Sequence, residues 1–224
     1  MERPVKIIVA RYNEDLSWMK ESPFNKFRYI VYNKGINDDF EKCNVDKIIQ
    51  LPNVGRCDHT YLYHIVHNYS NLNVINVFFP GCLTSEWKKE KAKKILYNIL
   101  HYKTAIFLGI KSPNIKKQFE TFTLDNWCST DSENRKLNDE TKLLPAIIRP
   151  YGKWFNYHFG NIKVKNWCTF GIFSMHKFDI RKHNIARYQK LLSGLSLHSN
   201  PEVGHYIERS WAAIFHPLLF TKVL

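Results

Sequence analysis

The strongest constraint on this chain is Lys6–Asp15, K-I-I-V-A-R-Y-N-E-D. Ile7, Ile8, Val9 and Ala10 run on without alternation, which predicts a strand covered on both faces, as in a parallel sheet between helices. The run ends abruptly in Arg11-Tyr12-Asn13-Glu14-Asp15, and Leu16, Trp18 and Met19 then read as a helix. Ligands of open α/β sheets sit just past the carboxyl end of a central strand. A cation, a ring and an amide gathered there suit a phosphate, a base and a ribose. The plainer account of the same residues is a strand-to-helix turn capped by Asn13 or Asp15.

The following segments extend that sheet. Phe27–Val31 reads as a second strand with the tip Tyr32-Asn33-Lys34-Gly35, where Gly35 is free to take positive φ and Lys34 could meet a phosphate. Ile36–Asp46 reads as loop and Lys47–Leu51 as a short third strand. Leu51–Asp58, L-P-N-V-G-R-C-D, is loop punctuation, with Asp58 placed to cap a helix starting at His59. Leu62, Ile65, Val66 and Tyr69 form its apolar stripe. His64 and His67 project away from that stripe towards solvent and His59 lies at its edge, so the three histidines do not converge on a metal. Gly55-Arg56, just ahead of the helix, offers free N–H groups and a guanidinium, a seat for an anion.

Val74–Phe79 predicts a buried strand closed by Pro80-Gly81, followed by a Lys-rich helix over 85–102 and another strand over Thr104–Ile110. Residues 112–143 are polar and pattern-poor, a loop insertion or flap on one α/β domain spanning 1–224. The aromatics of Ile147–Gly160 point to core, with a stacking platform for a sugar or base as the alternative. Trp167–Phe173 reads as a late strand and Ile185–Leu197 as a helix. In the last informative segment, Asn200–Trp211, Val203, Ile207 and Trp211 continue to Ile214 and Phe215 as a helical apolar arc. His205 and Arg209 fall opposite it. Glu208 sits at its margin, where a half-buried carboxylate can act as a general base. The same three polar residues also fit an ordinary surface set at i, i+3 and i, i+4 spacing.

Charge enters where partners are concerned. The 224 residues carry 33 Lys+Arg against 20 Asp+Glu, a net +13 that attracts polyanions, phosphorylated small molecules and acidic membranes without choosing among them. Much of the excess sits in Trp87–Lys94, W-K-K-E-K-A-K-K, which reads as the wet face of a helix. Five cysteines, widely spaced and without C-x-x-C, argue for reduced thiols and against a zinc ribbon. No basic-then-apolar leader and no apolar run of membrane-spanning length is seen, so a cytoplasmic protein without a stable membrane span is expected.

The motifs R-Y-N-E-D-L-S-W (Arg11–Trp18), Y-N-K-G (Tyr32–Gly35), L-P-N-V-G-R (Leu51–Arg56) and H-T-Y-L-Y-H-I (His59–Ile65) occur in order with G-I-F-S-M (Gly171–Met175) and N-P-E-V-G-H-Y-I-E-R-S-W (Asn200–Trp211). Together they resemble the family called domain of unknown function 3431, found in fungi, bacteria and large DNA viruses, from about Lys6 to Phe215. A looser similarity is to the nucleotide-binding half of GT-A-type glycosyltransferases. It implies a single-domain, mostly parallel α/β sheet flanked by helices, and transfer of a sugar from a nucleotide-sugar donor to a hydroxyl acceptor such as a glycan.

By position, the resemblance implies that Arg11, Tyr12, Asn13 and Glu14 line a base pocket, with Asn33 and Lys34 beside the ribose and Gly55 and Arg56 facing the donor. Glu208 (or His205) becomes the base, with Arg209 and Trp211 on the acceptor side. That enzyme class usually binds manganese or magnesium through an Asp-x-Asp pair at the next buried strand end. Here that place reads Phe78-Phe79-Pro80-Gly81. The reading leans to metal-independent transfer, with a substitute loop acid (Asp38-Asp39, Asp131-x-Glu133 or Asp139-Glu140) or lost donor binding as alternatives. Two other functions compete: a basic nucleic-acid-binding module, and a catalytically inactive nucleotide- or glycan-binding fold. The transferase reading expects nucleic acid to bind only weakly and without sequence preference.

Overall fold

The computed structural model describes residues 4–125 and 143–224. Its centre is a five-stranded sheet built from β1 (Val5–Arg11), β2 (Tyr29–Asn33), β3 (Val45–Gln50), β4 (Ile75–Pro80) and β8 (Phe173–His176), in the order β3-β2-β1-β4-β8. The first four are parallel, and β8 runs antiparallel to β4. β1 pairs from Ile7↔Tyr29 to Arg11↔Asn33 on one side and from Val5↔Ile75 to Ala10↔Pro80 on the other.

Helices cover both faces, which is why the first strand needs no alternation. Ile8 and Ala10 join Tyr32 and Phe78 under α1 (Arg56–His67), through its Tyr61, Leu62 and Ile65. Ile7 and Val9 join Tyr29, Val31, Val77 and Phe79 under α2 (Glu86–Tyr102). Ile95, Leu96 and Ile99 of α2 are buried, each contributing about 1.5–3 kcal/mol. Together they outweigh the roughly 0.5–2 kcal/mol that a side-chain cap from Ser85 would add and does not.

The second half of the chain builds on this frame. A pair of short parallel strands, β5 (Ala105–Phe107) with β9 (Thr221–Val223), and an antiparallel pair, β6 (Ile110–Lys111) with β7 (Asn166–Trp167), extend it. The remaining helices are α3 (Ile115–Gln118), α4 (Tyr151–Phe159), α5 (Lys177–Arg181), α6 (Ile185–Ser193) and α7 (Glu202–Ile214). The aromatics of α4 are core: Tyr151, Trp154, Phe155 and Phe159 are buried and Tyr157 is exposed. Among the described residues no helix is long and apolar enough to cross a membrane.

Several sequence expectations are corrected. The first helix is a single 3-10 turn, Ser17–Lys20, entered through Leu16 in the left-handed region, not through an Asn13 or Asp15 cap. β2 begins two residues later than Phe27, since pairing to β1 starts at Tyr29. Gly35 is needed for close approach and not for positive φ, because a Cβ there would lie 1.8 Å from the Tyr12 carbonyl oxygen. Asp58 is no cap: Gly55 (φ 60°) holds that position and Asp58 is buried in the first turn.

His64, expected in solvent, is buried with its Nδ1 2.9 Å from the Tyr32 hydroxyl, because α1 is covered on more than its apolar stripe. The late strand is Phe173–His176 and not Trp167–Phe173, since Phe170 (φ 66°) and Gly171 (φ 63°) interrupt the extended chain.

Residues 112–125 are not a bare loop. They contain α3, and the buried Glu202 fastens both flanks of the segment between. Its Oε1 accepts from Leu124 N (2.8 Å) and Arg149 Nη2 (3.0 Å), its Oε2 accepts from Ala146 N (2.8 Å), and Arg149 forms an ion pair with it. The remainder of the expected flap, with Asp131, Glu133, Asp139 and Glu140, lies outside the described residues.

Candidate functional site

The carboxyl ends of β1, β2 and β4 open along one edge of the sheet, together with the loop entering β8. The amino end of α1 and the middle of α7 complete that edge, which therefore collects residues from six separate elements.

At the β1–β2 end, the polar groups are satisfied by one another. Arg11 is buried; its Nε donates to Glu14 O (2.8 Å), Nη1 to Asn33 Oδ1 (2.7 Å) and Asn37 O (2.7 Å), and Nη2 to Asn37 Oδ1 (2.6 Å). The guanidinium also lies 4.4 Å from the Phe40 ring centroid. Asn33 gives its remaining amide hydrogen bond to Asn37 O (2.8 Å). Arg11 and Asn33, assigned from sequence to base and ribose, are buried here and turn most of their donors to neighbouring loops. Lys34 behaves likewise. Its ammonium donates to the carbonyls of Val54 and Arg56, and burial lowers its pKa to about 8. Accessible at this tip are Tyr12, half-buried, and Asn13, exposed. Glu14 is half-buried; it accepts from Tyr12 N (2.6 Å) and packs against Gly81 at the end of β4.

The α1–α7 end is built differently. Gly55 is irreplaceable, since a Cβ would meet Leu195 at 2.6 Å, and Arg56 itself takes a left-handed φ of 54°. A non-glycine residue in that region costs about 1–3 kcal/mol, and such strain concentrates at functional sites. The Arg56 Nη1 reaches Asn200 Oδ1 (3.3 Å) and His205 Nε2 (3.1 Å). His205, expected on the polar face of α7, is buried there. Burial, then the charges of Arg56 and Arg209, hold its pKa well below the usual range, so it is neutral. Arg209 donates to His205 O (2.9 Å) and lies over the Phe122 ring at 4.0 Å.

Two carboxylates meet this group. Glu208 is half-buried, as its place on the apolar margin predicted, and its Oε1 accepts the Phe170 N–H at 2.7 Å. Asp58 is fully enclosed and accepts from Trp211 Nε1 at 2.9 Å. Burial first, then the negative charge of Glu208, raise its pKa to about 7. Trp211 is completely buried and serves Asp58, which removes it from any acceptor surface.

The family described as protein of unknown function (DUF3431) matches residues 7–219. The chain belongs to that family. No curated protein matches it. All the positions assigned from sequence fall within the matched span, and so do three that sequence reasoning missed: Asp58, Asn200 and Phe170. A signal for Asp58 existed, since it lies two residues after Arg56 in the same helix turn. Nothing local marked the other two.

The carboxyl end of β4 offers no pair of carboxylates for a divalent ion. β4 closes with Phe79-Pro80, and Glu14 is the acid that packs against Gly81 there. Among the described residues no three His, Cys, Asp or Glu side chains gather as metal ligands. Two free thiols, Cys57 and Cys82, also lie along this edge, and burial raises the pKa of each.

Proposed function

We propose that this protein transfers a sugar from a nucleotide-sugar donor to a hydroxyl acceptor at the strand-tip edge. One observation carries the reading. A carboxylate, Glu208, and the guanidinium of Arg56, at the amino end of α1, both act on the charge of the buried Asp58. In this reading Tyr12 and Asn13 take the base, and Gly55 and Arg56 face the diphosphate.

Glu208 takes the proton of the acceptor hydroxyl as its oxygen bonds the anomeric carbon. The bond from that carbon to the diphosphate oxygen breaks, and the electrons leave with the nucleoside diphosphate. Arg56 and the helix N-terminus stabilise the developing charge. Asp58, its pKa raised by burial and by Glu208, carries only part of its negative charge near neutrality. His205, neutral and already bonded through Nε2, orients Arg56 and is set aside as the base. No step is routed through a metal.

The +13 charge supports the rival nucleic-acid reading less than it first suggests. On α2, Lys89 pairs with Glu21, Lys93 with Glu90, Lys91 donates to Thr169, and Lys88 lies 3.3 Å from Cys82 Sγ. A polynucleotide needs a row of free cations.

The test is a thermal-shift screen of nucleoside diphosphates and nucleotide sugars, with and without manganese. A ligand at a hundred times its dissociation constant adds about 2.7 kcal/mol, a rise of several degrees. A flat response across the nucleotide panel would overturn the donor reading.

A further inference from the structure

Beside Glu208 the chain exposes an aromatic surface that the donor site does not use. Phe170 is 40% exposed and Trp87 51%, and their rings meet edge to face with centroids 4.0 Å apart. Phe170 sits at φ 66°, a region that bulky side chains avoid, so an aromatic ring is kept where glycine would be at ease. Three bonds fix that turn: Glu208 Oε1 accepts the Phe170 N–H, and Lys91 Nζ donates to Thr169 O (3.0 Å) and Oγ1 (3.2 Å). Thr169 and Lys91 also line a groove of about 650 Å³ that runs along α2 past Tyr97 and Asn98 to Gly109 and Ile110.

We propose that Trp87 and Phe170 form a stacking subsite for a sugar ring of a neutral oligosaccharide, whose further residues lie along the α2 groove. The inference rests on the transferase reading only for calling that sugar the acceptor. An exposed ring with polar groups at its rim matches the apolar face and equatorial hydroxyls of a pyranose. The edge-to-face pair leaves no parallel slot for a base. The nearest cations are turned to protein atoms, Lys88 to Cys82 and over the Trp87 ring (5.3 Å), and Lys91 to Thr169. A neutral glycan therefore fits better than a nucleic acid. Glu208, bonded to the backbone of Phe170, stands where a hydroxyl of the stacked sugar would arrive.

The full chain is titrated, without nucleotide, with chitohexaose, maltohexaose, cellohexaose, mannohexaose and oligothymidylate, following tryptophan emission. At least one hexasaccharide should bind. Trp87→Ala and Phe170→Ala should each weaken it at least about tenfold. Phe170→Gly supplies a readout that a structural role would not give: binding is lost while the melting temperature holds or rises, because glycine relieves the positive φ. Saturable binding of oligothymidylate alone, no binding of any hexasaccharide, or a Phe170→Gly protein that melts earlier yet still binds would each overturn the proposal. Failure of the transferase reading alone would look different: sugar binding persists and no nucleotide shifts the melting temperature.

Discussion

The two polar clusters on the strand-tip edge differ in how completely they are satisfied. Around Arg11 and Asn33 every donor named above meets an acceptor within 2.6–2.8 Å, and the charge is spread over carbonyls and amides. Around Arg56, Asp58, His205 and Glu208 the two Arg56 bonds are longer, at 3.1 and 3.3 Å, a carboxylate titrates near neutrality, and Arg56 is held at positive φ. Both clusters are rich in the residue types that bind nucleotides, yet the first is paired within itself, and in the proposed function only the second serves chemistry. A fully paired buried network rigidifies a fold, whereas groups with perturbed titration and residual strain mark where substrate interactions complete the set.

The sharpest way to break this comparison is Glu208→Gln. If the second cluster is catalytic, transfer falls about 10²–10⁴-fold while the melting temperature stays put, since glutamine still accepts the Phe170 N–H. Assay of transfer in a donor identified by thermal shift, with nucleotide affinity measured alongside, checks both halves. Full activity in this variant would remove Glu208 from the mechanism.

Next comes the proton on Asp58. Its pKa is about 7 when folded against an ordinary 3.8, so the folded state binds the extra proton between those values. The stability this confers is complete below pH 4 and is lost as pH rises through 7. The buried His59, at about 4, and His64, at about 3, act oppositely: their stabilisation is complete above pH 6.5 and is lost on acidification. Both imidazoles remain in Asp58→Asn, so the difference isolates the carboxyl. Stability of Asp58→Asn minus wild type should climb between pH 4 and 7, by up to roughly 4 kcal/mol. Urea titrations at several pH values would show it, and a flat difference would mean Asp58 is not held protonated.

For the first cluster, Arg11→Met should cost about 3 kcal/mol, because Asn33 and Asn37 lose buried partners. A lower urea midpoint at unchanged slope is expected, with nucleotide affinity preserved in the folded fraction. Loss of nucleotide binding without loss of stability would reverse the assignment of scaffold and site. The smallest effect is a control far from both. Lys103 caps α2 in the left-handed region at φ 56°, so Lys103→Gly should gain about 0.5–1 kcal/mol without touching activity.

Much of the frame was legible because its signals are local. The run Ile7–Ala10, the buried β4 and the stripe of α2 are periodicities that a strand or helix must satisfy wherever it is placed. Glu208 was also placed correctly, at the edge of an apolar arc. Reading failed where burial came from a distant segment. His64 and His205 look solvent-facing on their own helices, and each is buried by elements remote in the chain. Phe170 was read into a strand because nothing local reveals the turn that Glu208 and Lys91 hold.

Sequence alone therefore determined the order β1-β2-β3-α1-β4-α2, the sheet with helices on both faces, and membership of a family whose match runs from residue 7 to 219. Those follow from hydrophobic period and ordered motifs, which need no knowledge of contacts. Tertiary structure decided which polar residues are buried and which partners they meet. Arg56 meets His205 across 149 positions and Trp211 meets Asp58 across 153. Desolvation and charge, the two forces that set Asp58 and His205 apart from ordinary side chains, exist only once those partners are brought together.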